Sequence, residues 1–257
     1  MSWKKNYPRF YRFFAKLRFA LAREKIIQLP FGAKMRVNPY SYVERCIGEG
    51  SFERRRLDFL FSSIKEDCVF FDIGANVGVF SLLAATRGAI VHSFEPEPLN
   101  LIRLKGNLKL NPEIASQVKV WPIALGNQVG QVKFSRPLSD NYGRSSFRLQ
   151  DDCDLITVKI DKFDNLGLRF ASKSFFKIDV EGAEKDVLEG MSSALEANVP
   201  TMFLVEVHRE GGVDLSSMVE FFFQRGYRVT FFDDFEGVEC ACAPDSGDVA
   251  LLARKNF

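Results

Sequence analysis

Phe70-Phe71-Asp72-Ile73-Gly74-Ala75-Asn76-Val77-Gly78 reads as an apolar strand, a tight turn and the start of a helix. Gly74 permits the turn, and Gly78 lets the helix pack closely on the strand. A dinucleotide fingerprint asks for glycine at the middle position, where backbone must approach a pyrophosphate. Asn76 holds that place. Asp72 ends the strand just before the turn, where it would repel phosphate. The turn therefore suits a cationic ligand without phosphates and argues against NAD or FAD.

Outward from this turn, strands alternate with helices. Ala89–Phe94, Val118–Ala124, Phe175–Val180, Thr201–Val207, Tyr227–Phe232 and Val249–Ala253 read as strands. Phe52–Ile64, Val77–Arg87, Leu99–Leu110, Ala183–Ala197 and Leu215–Arg225 have helical spacing. Such alternation implies crossover units and a parallel sheet covered on both faces. The pattern breaks at about 127–161, where Gln131–Ser135, Ser146–Leu149 and Ile156–Ile160 look like short β segments. This insertion is expected near the ligand face. The domain reading is a basic, partly helical extension over 1–56 and an α/β domain over 57–257.

In open parallel sheets, ligands sit beyond the carboxyl ends of the strands. Glu95 ends the second strand there, and its carboxylate can accept from both hydroxyls of a ribose. A phosphate-free turn, an acid near a cation and an acid on a ribose together describe S-adenosylmethionine. Asp72, Gly74, Asn76, Gly78 and Glu95 are the expected cofactor residues, with Ile123 and Ala124 lining an adenine slot.

The segments Phe70–Gly78, Phe94-Glu95-Pro96, Leu104–Asn107 and Lys177-Ile178-Asp179-Val180-Glu181-Gly182-Ala183-Glu184 closely resemble the FkbM family of S-adenosylmethionine-dependent methyltransferases. The run Asp179–Glu184 is the most specific part. The resemblance covers roughly 40–255 and includes Gly50-Ser51-Phe52-Glu53, which brings Glu53 in as a substrate candidate. It implies a Rossmann-like class I methyltransferase fold, with a seven-stranded, mostly parallel sheet whose last strand is antiparallel. It also implies O-methylation of a hydroxyl on a sugar, glycan or other small molecule.

An alcohol is a weak nucleophile, so a base beside it helps. Asp179, Glu206 and His208 are the catalytic candidates, at the ends of two neighbouring middle strands. Residues 206 and 208 face one side of a regular strand. For His208 three roles stand open: general base, substrate hydrogen bonding and structure. For Asp179 they are holding substrate, taking a proton, and joining Glu206 around a divalent ion. Nothing in the spacing demands a metal, so none is expected. Arg144, Ser145 and Ser146 in the insertion are further substrate candidates. His92, inside an apolar strand, reads as a packed core residue.

The composition of the 257 residues, 46% apolar and 26% charged with a net charge of +2, excludes a disordered chain or a fibre. The charge is uneven. Residues 1–56 carry 14 Lys or Arg against 4 Asp or Glu, and the remainder carries 21 against 29. Tyr7, Phe10, Phe14, Leu17 and Leu21 recur at helical spacing among basic residues, so residues 7–25 read as a basic amphipathic helix. Its bland role is packing on the domain; its functional role is contact with a membrane surface or a lipid-linked substrate. Five irregularly spaced cysteines read as reduced thiols, and no run of 18 residues is free of charge. A cytoplasmic setting follows as an expectation, peripheral to the inner membrane surface if that helix docks. A nucleic-acid partner is disfavoured, because the basic residues lie away from the cleft. The contrasting reading is a non-catalytic glycan- or membrane-binding module on the same fold.

Overall fold

β3 (Cys68–Ile73) is buried at all six positions, as a strand covered on both faces must be. Alternate side chains enter two different cores: Phe70 joins one apolar cluster, Phe71 and Ile73 the other. The computed structural model that shows this describes residues 21, 23–137, 153–170, 173–197, 199–208, 213–234, 236–243 and 248–256.

β3 lies at the centre of the main sheet. On one side come β4 (Ile90–Phe94) and β5 (Val118–Trp121), on the other β9 (Lys173–Ile178) and β10 (Thr201–Val207). These five run parallel. Beyond them β13 (Val249–Lys255) inserts antiparallel between β10 and β11 (Arg228–Asp233). This is the expected mostly parallel sheet with an antiparallel last strand. One difference is an eighth strand, β12 (Val238–Cys240), which pairs with the edge of β11. At three residues it is too short to carry a clear alternating pattern.

The crossovers are α3 (Val79–Thr86), then α4 (Pro98–Lys109) with α5 (Pro112–Ala115), then α6 (Glu184–Glu189) with α7 (Ser192–Leu195), and α8 (Leu215–Phe223). Glu97 caps α4 by accepting from Asn100 N at 2.7 Å, and Asp214 caps α8 through Ser216 and Ser217. On one face, Phe71, Phe176 and Phe203 from three adjacent strands stack with centroids 4.5 Å apart at each step. Each such pair adds about 0.5–1.5 kcal/mol beyond area burial.

The expected single helix over 183–197 is two helices. They break at Gly190, where a Cβ would lie 2.0 Å from the Gly126 carbonyl oxygen. The strand expected over 118–124 also divides. β5 ends at Trp121, and β6 (Ala124–Leu125) joins β7 (Gly130–Pro137) and β8 (Cys153–Asp161) in a small second sheet. β7 and β8 fall within the stretch 127–161, where short β segments are expected; the segment expected at 146–149 lies outside the described residues.

Residues 25–56 do not stand apart as an extension. β1 (Lys25–Gln28) and β2 (Lys34–Val37) form a hairpin, and α1 (Tyr42–Glu49) follows it. Leu29, Met35, Val37 and Ile47 share a core cluster with Phe70 and Val79. Asn107 on α4 fastens the hairpin: its Oδ1 accepts from Arg36 N and its Nδ2 donates to Val77 O. α2 (Arg54–Ser63) then leads into β3. Of the segment expected as an N-terminal helix, residues 7–20 lie outside the described residues, and its last residue, Lys25, opens β1. Among the described residues, no helix is long and apolar enough to cross a membrane.

Candidate functional site

A cleft lies beyond the carboxyl ends of β3 and β4, bounded also by the loop after β9 and by the small second sheet. Its floor is the turn after β3. The amides of Gly74 and Ala75 both donate to Phe94 O, and Asp179 N donates to Ile73 O. Gly74 has φ +83°, and a Cβ there would fall 1.8 Å from the Asp179 carbonyl oxygen. Only glycine fits this approach of two backbones. Asn76 also takes a left-handed φ, of 51°. That turn points its amide at Glu95, whose Oε2 accepts at 2.8 Å, while Oε1 accepts from Glu97 N at 2.8 Å. Glu95 is thus oriented by backbone at the rim of the cleft. Burial pushes its carboxyl up to about 7, against the two amides.

Gly74, Asn76, Glu95, Ile123 and Ala124 all line this cleft, together with Phe94, Leu125 and Phe134, whose apolar surfaces suit a flat base. Gly78 does not line it; it starts α3 at φ 92°, with Leu104 3.1 Å from where its Cβ would be. Asp72 departs from expectation. It is fully buried under the turn, on the α3 face of the sheet, and is absent from the cleft lining. Its Oδ2 accepts from Ser81 Oγ at 2.5 Å. Burial raises its carboxyl, and the nearby Lys177 opposes that rise. Residue 72 falls on the inward side of the strand alternation, so its charge reaches a ligand only through the turn above it.

Asp179, Val180 and Glu181 form the far wall of the cleft and lead to a second, charged group of residues. Asp179 accepts from Lys177 Nζ at 2.8 Å. Burial opposes its ionisation, but Lys177 and His208 outweigh that and hold its carboxyl below the usual range. Glu206 at the end of β10 accepts from Arg56 Nη1 at 2.7 Å; its carboxyl is raised by burial and by Asp179. Arg56 also grips Asp234 through Nε and Nη2, at 2.8 and 2.6 Å, and meets Glu53 at 3.1 Å.

His208 is buried, with Nδ1 2.8 Å from Glu184 Oε1, and Nε2 3.6 Å from Glu181 and 3.8 Å from Asp179. Burial disfavours its charge, yet the bond to Glu184 and the charges of Asp179 and Glu181 raise it to about 10. At neutral pH it is an imidazolium, so the role of general base does not suit it. His92 is the opposite case. Burial lowers it to about 4, and the neutral ring accepts from Trp121 Nε1 at 3.1 Å; the pair is half-buried at the edge of the sheet rather than within the core.

One oxygen or nitrogen from each of Asp179, Glu206 and His208 can be chosen so that the three lie within 4.8 Å of one another, a spacing compatible with a metal. Two cations, Lys177 and Arg56, already neutralise these carboxylates, and the ring is protonated. Arg144, Ser145 and Ser146 lie outside the described residues. Arg56, Lys177 and Glu184 were not anticipated from the sequence. Arg56 is four residues before the buried Leu60, so helical phase alone puts it on the inward stripe.

The chain matches the model of the Methyltransferase FkbM domain over residues 72–229. It is 29% identical over 163 residues to the hexuronic acid methyltransferase AglP of Haloferax volcanii. That match covers 63% of this chain and 64% of AglP, so the chain spans just under two thirds of the curated relative's length. Among solved structures, PH0793 of Pyrococcus horikoshii superposes with a TM-score of 0.51 at 12% identity, over 97% of this chain and 84% of that one. At that identity the likeness concerns the fold alone. The methyltransferase FkbM of Methylobacillus flagellatus gives 0.49 at 19% identity, over 74% and 43%.

Proposed function

Because the chain belongs to the FkbM methyltransferase family, we propose that it binds S-adenosylmethionine in the cleft above Gly74 and methylates a hydroxyl oxygen of a sugar or glycan. One observation carries the reading: one cleft joins a backbone-oriented carboxylate, apolar walls and the acids Asp179 and Glu181, and Asp179 in turn belongs to the cluster with Glu206 and His208. The fit to the cofactor rests on this chain's own atoms. The absence of a Cβ at Gly74 leaves the floor to backbone, Glu95 presents a fixed acceptor for two hydroxyls, and Phe94, Ile123, Leu125 and Phe134 offer an apolar slot.

When bound, the cofactor supplies an electrophilic methyl group on a sulfonium. The chain's residues do the rest. Asp179 and Glu181 bring carboxylate oxygens to the far wall of the cleft, each also facing the His208 ring. Lys177 and Arg56 keep the acids of the rim from repelling one another. Among the described residues, the rim offers a partly exposed carboxylate row for orienting an acceptor hydroxyl, and orientation supplies much of the rate of a displacement. AglP is named for a hexuronic acid, which supports a sugar acceptor here.

The test is calorimetric titration with S-adenosylmethionine, followed by tritiated-methyl transfer to cell-envelope glycans and to p-nitrophenyl glycosides. Binding in the micromolar range and label in the glycan fraction are expected. Absence of binding would refute the proposal. We propose further that residues 7–25 bring the enzyme to a membrane surface or a lipid-linked acceptor. Their basic, aromatic pattern supports this, and cosedimentation with anionic vesicles, lost on deletion of residues 1–25, is its test.

A further inference from the structure

On the reading that a hydroxyl is methylated at this site, we propose that Glu53 is the group that takes the hydroxyl's proton. The residue occupies the position before α2 where a side chain ordinarily caps its helix, yet it makes no capping bond. Its backbone is left-handed, φ 36° and ψ 36°. A non-glycine residue held there costs on the order of 1–3 kcal/mol and persists only where surroundings impose it. In that position the carboxylate takes no backbone amide of the helix and instead meets the Arg56 guanidinium at 3.1 Å, in the charged rim.

Four acids open onto that rim with nearly equal exposure: Glu53 and Glu206 at 20%, Asp179 at 21% and Glu181 at 22%. Three are otherwise engaged. Asp179 holds the Lys177 ammonium, Glu206 the shorter bond to Arg56, and Glu181 faces the His208 imidazolium. Glu53 has the longest of the three Arg56 contacts, 3.1 Å to an Nη1 already given to Glu206. It is the acid that can lose its partner with least disruption.

The groups facing Glu53 are Arg56 from its own helix, Lys177 and Asp179 from the end of β9, and Glu206 from β10. Burial pushes its carboxyl up to about 7 despite Arg56. Both protonation states are then accessible at neutral pH, as a proton acceptor requires. In the step, the acceptor's O–H bond breaks with the proton passing to Glu53. The oxygen bonds to the methyl carbon, and the carbon–sulfur bond breaks with its electron pair left on sulfur. Glu53 then returns the proton to water.

The test uses the full chain and four variants, Glu53→Gln, Glu53→Asp, Glu95→Gln and Glu206→Gln. In protein labelled with 13C at the glutamate carboxyls, without cofactor, Glu53 and Glu95 should both titrate near pH 7; one of these two resonances should vanish in Glu53→Gln, the other in Glu95→Gln, and both should persist in Glu206→Gln. Methyl transfer to p-nitrophenyl glycosides should fall 10²- to 10⁴-fold in kcat in Glu53→Gln, with unchanged affinity for S-adenosylmethionine. Glu53→Asp should recover part of the rate, with the acid limb of its pH profile displaced. A Glu53→Gln enzyme within threefold of wild type, or an unchanged acid limb in Glu53→Asp, overturns the proposal while the methyltransferase reading stands. A wild-type protein that transfers no methyl group overturns both.

Discussion

Replacing Glu95 by Gln asks whether the backbone-held carboxylate is what receives the ribose. Its two oxygens each accept one amide, from Asn76 and Glu97, at 2.8 Å. Glutamine turns one of those acceptors into a donor that faces an N–H, and it removes the negative charge. Hydrogen bonds to charged groups are worth about 1.5–3 kcal/mol each. Losing one on binding predicts affinity for S-adenosylmethionine weakened by about 10- to 150-fold. The same group sets a pH dependence. In the free protein, burial raises Glu95 to about 7, and only its ionised form offers both oxygens as acceptors to the ribose hydroxyls. Binding below pH 7 must therefore expel a proton. Affinity should fall about tenfold per pH unit as pH drops below 7 and stay level above it. Isothermal titration from pH 5.5 to 8 in buffers of different ionisation heat reads both the slope and the released proton. Glu95→Gln should flatten the profile. A wild-type affinity independent of pH, or a variant within twofold of wild type, would sink the reasoning.

Gly74→Ala should destabilise the fold by about 3 kcal/mol or more, since its Cβ would strike the Asp179 carbonyl at a left-handed φ; urea unfolding measures it. Glu184→Gln should bring the His208 titration, followed by imidazole NMR, down from about 10. A raised imidazolium stabilises the fold fully below its ordinary pKa and ceases to as pH rises through about 10, so wild-type stability should decline between pH 7 and 10. That decline should be shallower in the variant. Asn107→Ala removes the partners of Arg36 N and Val77 O, and should cost about 2 kcal/mol with faster amide exchange in the β1–β2 hairpin.

The sheet was legible because its strands are short apolar runs between turn residues, and Phe70 and Phe71 point to opposite cores simply by alternation. The cleft side of the site was legible for the same reason: Gly74, Asn76 and Glu95 lie at strand ends, where local geometry dictates position. What was not legible depended on distant partners. The break at Gly190 answers the Gly126 carbonyl more than sixty residues away in the chain. The charge of His208 follows from Glu184, which by itself is an ordinary acid in a first helical turn. Asp72 lies before the turn as its sequence position dictates, but its burial and its bond to Ser81 depend on the helix that follows. The helical phase of Arg56 points it inward, but its partners Glu206 and Asp234 lie 150 and 178 residues further along the chain.

The hold of Arg56 on Glu206 and Asp234 has a practical side for anyone trimming this protein. The family model spans 72–229, yet Glu53 and Arg56 precede that span and Asp234 follows it. A fragment cut to those borders would also lose residues 68–71 of the central β3 and all of β13, which pairs with β10. Glu206 would be left without its counter-cation and the sheet without its middle, so such a fragment should not fold as the full chain does.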